Sequence, residues 1–116
     1  SGALLAFGSD WPVMPLDPRL GLRAAMARAH LDGAPASGGA DEALGLEEAL
    51  DADTAGGAKL AGRAAELGTL GPGMLADIAV FDRDISRAGP EELLAAEIDA
   101  TVFDGKLVYE RAGSAA

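Results

Sequence analysis

The chain holds 116 residues, enough for one domain, and its 49% hydrophobic and 24% charged content is that of a globular protein, not a disordered or fibrous one. With 9 Lys and Arg against 19 Asp and Glu, the net charge of −10 repels phosphate backbones and anionic lipid, which excludes nucleic acid and membrane surfaces as expected partners. No stretch approaches the ~20 apolar residues of a membrane span, no basic-then-apolar leader stands at the start, and Cys 0 removes disulfide and thiolate chemistry and suits a reducing cytoplasm.

Ala3 to Phe7 is a short continuous apolar run broken by Gly8 and Pro12, the pattern of a buried strand. Asp10-Trp11-Pro12 therefore falls at the strand's C-terminal end, where proline forces an extended turn. Asp17-Pro18 reads as a helix start, with Asp as N-cap and Pro at the first helical position. Leu22, Met26 and Ala29 form its apolar stripe, and Gly33 and Pro35 close the segment. After a loop over 34–45, a second helix opens at Leu46 with Glu47 and Glu48 in its first turn, where the macrodipole favours acids. Gly56-Gly57 inside that helix costs about 1 kcal/mol per residue relative to Ala. The pair makes sense where another backbone approaches closely or the helix is interrupted.

The remaining third is β in character. Gly71-Pro72-Gly73 is a turn, Ala76 to Phe81 a strand, and Pro90 with Glu91 and Glu92 opens a short helix reaching Glu97. Thr101-Val102-Phe103, Asp104-Gly105 and Lys106-Leu107-Val108-Tyr109 together predict a hairpin, because Asp-Gly suits a type I′ turn with positive φ at both central residues. The tail from Ala112 is expected to fray. Aromatics at 4% and an alanine-rich apolar fraction leave little large side-chain area for a self-sufficient core.

Gly8-Ser9-Asp10-Trp11-Pro12-Val13 resembles the G-S-D-W-P-V signature of the amidohydrolase superfamily, in the branch that contains N-substituted formamide deformylases. Gly68 to Asp82 is similar to the G-S/T-L-x-P-G-K-x-A-D-L-V-V-L-D run near the end of such proteins, with Met74 at the usual Lys, read as a surface change. Ala100 to Tyr109 resembles their closing hairpin. Leu44 to Leu50 resembles the L-T-P-E-E-A-L helix start, with Gly45 for the capping Thr and Leu46 for Pro, which predicts a weaker start.

The resemblance implies an α/β to α+β chain. It would comprise the last strand and outer helices of a (β/α)8 barrel over 1–66, part of a small β-sandwich over 67–112, and a tail at 113–116. It implies hydrolysis of carbon–nitrogen, non-peptide bonds in a small amide-type substrate by a parent enzyme holding a divalent metal, zinc by expectation. Asp10 would contact the metal and shuttle the proton of an activated water, whose pKa a bound cation lowers toward about 7. Trp11 and Pro12 would lie beside the substrate or pack under the loop. Asp77 is expected to cap or pair locally, and Asp82, Asp84, Glu91 and Glu92 to form a solvated face.

The chain departs from the family where metal ligands are concerned. His30 is its one histidine, on the first helix, and reads as a surface or packing residue. A catalytic zinc site needs three protein ligands and an open position, which Asp10 and His30 cannot supply. The chain alone is therefore expected to be inactive and to hold no metal tightly. One barrel strand and a few sandwich strands leave edges unpaired, which predicts a homo-oligomer or strand-swapped dimer. Two other readings stand beside the enzyme fragment: a non-catalytic remnant or interaction module using those edges, and a chain that completes a barrel supplied by a separate polypeptide. Ser1 in place of Met is compatible with an upstream start, a processing step or a cloning scar.

Overall fold

The computed structural model describes residues 2–30 and 32–113. Among the described residues, four helices and three strands follow in the order α1 (Pro18–Ala27), α2 (Leu46–Asp53), α3 (Ala55–Leu60), β1 (Ile78–Phe81), α4 (Pro90–Ala95), β2 (Ile98–Phe103) and β3 (Lys106–Glu110), with one 3-10 turn at Ala40–Glu42. The end of the expected frayed tail, from 114 on, lies outside the described residues.

Local chemistry sets most boundaries. Asp17 Oδ1 accepts the Arg19 N–H at 3.0 Å, so the Asp-Pro pair caps α1 as its sequence predicts. The helix stops at Ala27, one turn before the expected end, because Arg28 adopts a left-handed conformation at φ 50°. Gly45 offers α2 no side-chain cap; Glu48 Oε2 accepts the Gly45 N–H at 3.0 Å, half of a capping box. The start at Gly45 and Leu46 thus lacks the side-chain cap that a Thr would supply. At Thr54 the backbone leaves helical angles while Oγ1 bonds the Leu50 carbonyl at 2.7 Å, dividing the expected single helix into α2 and α3.

The three strands form one antiparallel sheet in the order β1-β2-β3, with Ile78 opposite Val102 and Val102 opposite Leu107. Asp104 and Gly105 take φ 48° and 74°, the double positive φ that the Asp-Gly hairpin requires. Asp77 Oδ1 accepts the Asp104 N–H at 2.8 Å and the Ala76 carbonyl accepts the Gly105 N–H at 3.0 Å, which docks the turn on the entry to β1. The local pairing read for Asp77 is thus of this kind.

The core sits between α1, α2 and α4, where buried Leu22, Ala49 and Leu93 meet, flanked by half-buried Met26, Leu50, Phe81 and Ile85. Among the described residues, alanine supplies most of the buried apolar positions: Ala49, Ala52, Ala58, Ala96 and Ala100 stand beside Leu22 and Leu93. The Cα radius of gyration is 14.9 Å, against about 13 Å for a compact domain of this length. Leu4, Leu5, Leu107, Val108 and Tyr109 remain exposed.

Two expectations are corrected here. Ala3 to Phe7 is not a strand, and Leu4 and Leu5 are about half exposed at 54% and 47%. A buried parallel strand needs neighbours on both edges and a layer on each face, and none of the three strands of this sheet lies beside it. Asp82 does not belong to a solvated face: its side chain is 15% exposed and engaged by Arg83 and Arg111.

Candidate functional site

The segment entering the Gly8–Val13 motif runs along the junction of α2 and α3. Phe7 N donates to the Ala52 carbonyl at 2.9 Å. The Leu5 carbonyl lies so near Gly56 that a Cβ added there would stand 2.0 Å from its oxygen. Gly56 thus marks a close backbone approach, and Gly57, with nothing within 4 Å of an added Cβ, does not. Both sequence explanations for the glycine pair hold, since the helix is also interrupted at Thr54.

Beyond Phe7 the chain turns back on itself. Val13 N donates to the Asp10 carbonyl at 2.8 Å, closing a turn over 10–13. Asp10 sits at its start with φ 49°, a left-handed conformation that Asp tolerates better than most side chains, and the Trp11–Pro12 peptide is cis. Asp10, Trp11 and Pro12 are all exposed, Trp11 at 64%. Three expected site residues therefore share one exposed turn. His30 is exposed past the end of α1, and its carbonyl accepts Arg23 Nη2 at 2.9 Å. Among the described residues, no group of three or more His, Cys, Asp or Glu is placed to hold a metal ion.

Beside the turn lies a cleft of about 590 Å³, between the Ala6–Ser9 segment and α1. Phe7, Met14 and Leu20 give it an apolar wall, and Ser9, Asp17, Arg28 and Asp53 supply polar groups. Ser9 and Met14 flank the turn, whereas Asp10, Trp11 and Pro12 do not line the cleft. Burial pushes the Asp53 carboxyl above its ordinary range. Asp17, at the same cleft, is shifted the other way by the hydrogen bond from the Arg19 guanidinium. Asp53 and Arg28 were not legible as cleft residues. Each ends a helical run, and only the packing of the Ala6–Ser9 segment brings them to one wall.

Asp82 is also firmly held. Asp82 lies well below the usual range because Arg83 binds it in a fork, with a further bond from the Glu97 N–H. Its partners Arg83, Glu97 and Arg111 each adjoin a strand of the sheet. Expected solvation at Glu91 and Glu92 holds in that both are exposed; Glu92 additionally accepts the Gly89 N–H at 3.3 Å at the start of α4.

The amidohydrolase family model matches residues 1–109. Over 112 residues the chain is 35% identical to YtcJ of Bacillus subtilis (strain 168), named as an amidohydrolase, covering 95% of this chain and 21% of that protein. Over 114 residues it is 35% identical to the N-substituted formamide deformylase of Arthrobacter pascens, covering 98% of this chain and 21% of that one. The chain thus spans about a fifth of the length of these curated relatives. The crystal structure of an amidohydrolase from Thermotoga maritima MSB8 superposes with a TM-score of 0.71 at 24% identity, over 95% of this chain and 24% of that one. That likeness carries the fold alone.

Proposed function

Since the chain belongs to the amidohydrolase family, as the match over residues 1–109 shows, we propose that it is the C-terminal part of a metal-dependent hydrolase acting on carbon–nitrogen, non-peptide bonds such as amides or formamides. The formamide class enters from the Arthrobacter pascens relative, whose name states it. One observation carries the reading: the family motif ends in an exposed turn that presents Asp10, Trp11 and Pro12 together. In this reading residues 1–66 are the end of a barrel, 67–112 strands of a sandwich and 113–116 a tail. The two parts share the core through Leu93 of α4.

The described residues do not fit a divalent metal by themselves, since no ligand cluster accompanies Asp10. Asp10 is proposed as one carboxylate of the reacting centre, the group that receives and returns a proton at its Oδ atoms. Trp11 and Pro12 are proposed to border the substrate. A bound divalent ion, zinc by family, would be held mainly by groups outside this chain. Among the described residues, no helix is long and apolar enough to cross a membrane, and a cytoplasmic setting and self-association through open edges remain part of the proposal.

The test is a chimera in which this chain replaces the matching fifth of the Arthrobacter pascens deformylase. The chimera is expected to turn over an N-substituted formamide, and Asp10→Asn to reduce kcat by at least ~10³-fold with little change in KM. An Asp10→Asn chimera as active as its parent refutes the assignment. A second reading is favoured by β3, exposed along its whole length from Lys106 to Glu110: a non-catalytic module that pairs through this edge.

A further inference from the structure

Residues 83–96 leave the sheet after β1, build α4 and return to enter β2. The two ends of this excursion meet at one residue pair. Asp82 N donates to the Glu97 carbonyl at 2.9 Å, and Glu97 N donates to Asp82 Oδ1 at 3.1 Å. Arg83 Nε reaches the same Oδ1 at 2.8 Å and Arg83 Nη2 reaches Oδ2 at 2.9 Å. Arg111, just past β3, stands 3.9 Å from Oδ2 and binds Asp99 Oδ1 through Nε at 2.8 Å. One carboxylate thus binds both ends of the excursion and faces the Arg111 guanidinium just past β3.

The far end of the excursion is the centre of the core. Leu93 of α4 is fully buried against Leu22 of α1 and Ala49 of α2. From α1, Arg19 donates to the Ala96 carbonyl and lies 3.8 Å from the Glu97 carboxylate. Seating Leu93 therefore requires the chain to leave the sheet, reach the helices and come back in register.

We propose that Asp82 is a clasp closing the neck of the α4 excursion, so that the helical layer and the sheet open and close as one unit. Bringing the ends of a loop together costs entropy, and bonds to a charged acceptor are roughly twice as strong as neutral ones. Holding the neck shut lowers the cost of seating Leu93. Releasing it frees α4, and with α4 the packing of α1.

Hydrogen exchange followed by mass spectrometry on the chain and on Asp82→Ala tests this. Peptides covering 83–97 and α1 are expected to exchange at least ~10-fold faster in the variant, while the β2–β3 hairpin changes less than ~3-fold, the signature of a local opening unit. Acceleration of equal size throughout the chain overturns the proposal, because Asp82 is then a general stabiliser. No acceleration in 83–97 overturns it as well. Arg83→Gln removes the fork and leaves the Glu97 bond, and Arg83 is half exposed. It is expected to give a smaller acceleration confined to the same peptides, and decides the matter alone if Asp82→Ala fails to fold; uniform acceleration or none there overturns the clasp.

Discussion

Alanine in place of two adjacent glycines should move stability in opposite directions. Gly56 and Gly57 both lie inside α3, and Ala is preferred to Gly in a helix by about 1 kcal/mol. At Gly57 an added Cβ meets nothing within 4 Å, so Gly57→Ala should stabilise by about 0.5–1 kcal/mol. At Gly56 the Cβ would stand 2.0 Å from the Leu5 carbonyl oxygen and 3.2 Å from the Asp51 oxygen. An ordinary contact requires the Leu5 backbone to retreat by more than 1 Å, roughly, and overpacking of that kind costs about 1–3 kcal/mol, occasionally more. Set against the helix gain, Gly56→Ala should be a net destabilisation, and the Phe7 bond to Ala52 should weaken with it. Urea unfolding of both variants reads the difference, which is expected at about 2 kcal/mol in midpoint-derived free energy. Gly56→Ala stabilising as much as Gly57→Ala would refute the close approach.

Leu93→Ala should cost about 2–5 kcal/mol, because its neighbours include Ala49 and cannot fill the void; that is a large share of a total of about 5–15 kcal/mol. Thermal unfolding checks it, and a loss under about 1 kcal/mol would mean that the site collapses freely. Asp53 gives a pH prediction. Its carboxyl is raised by burial, so the folded chain holds that proton more tightly than the unfolded chain does. Stability is therefore lost as pH rises from about 3.9, the unfolded value, through the raised folded one. Asp53→Asn should melt higher than the parent at pH 7, and the gap should close at pH about 3, below both values. A gap of equal size at both pH values would contradict a titration origin.

The sequence was most informative where one residue type answers one backbone demand. Asp17-Pro18 caps α1, and Asp104-Gly105 turns the hairpin with both φ positive. The same holds for Gly56, whose missing side chain admits the Leu5 carbonyl. It was least informative where an element depends on partners. Ala3 to Phe7 has the composition of a buried strand, yet strand structure is a property of neighbours and the apolar run does not carry them. Asp82 was expected on a solvated face with Asp84, Glu91 and Glu92, but its neighbour Arg83 holds the carboxylate in a fork. The end of α1 at Ala27 was missed because Arg28 gives no sign of a left-handed stop, a place usually taken by Gly. Within the candidate site, the turn's position could be read from Gly8 and Pro12, whereas the wall formed by Arg28 and Asp53 depends on packing between distant segments.

The left-handed backbone at position 10 separates two selective pressures that usually coincide. Folding alone would rank Gly first there, with Asn and Asp next, since these residues adopt positive φ at least cost. Chemistry, if it resides at this turn, would accept the carboxylate and reject both of the others. A variant library sorted for soluble expression would then enrich Gly and Asn at position 10, and the same library sorted for turnover in a completed enzyme would keep Asp. The turn's geometry makes its own occupant a reporter of which pressure has acted.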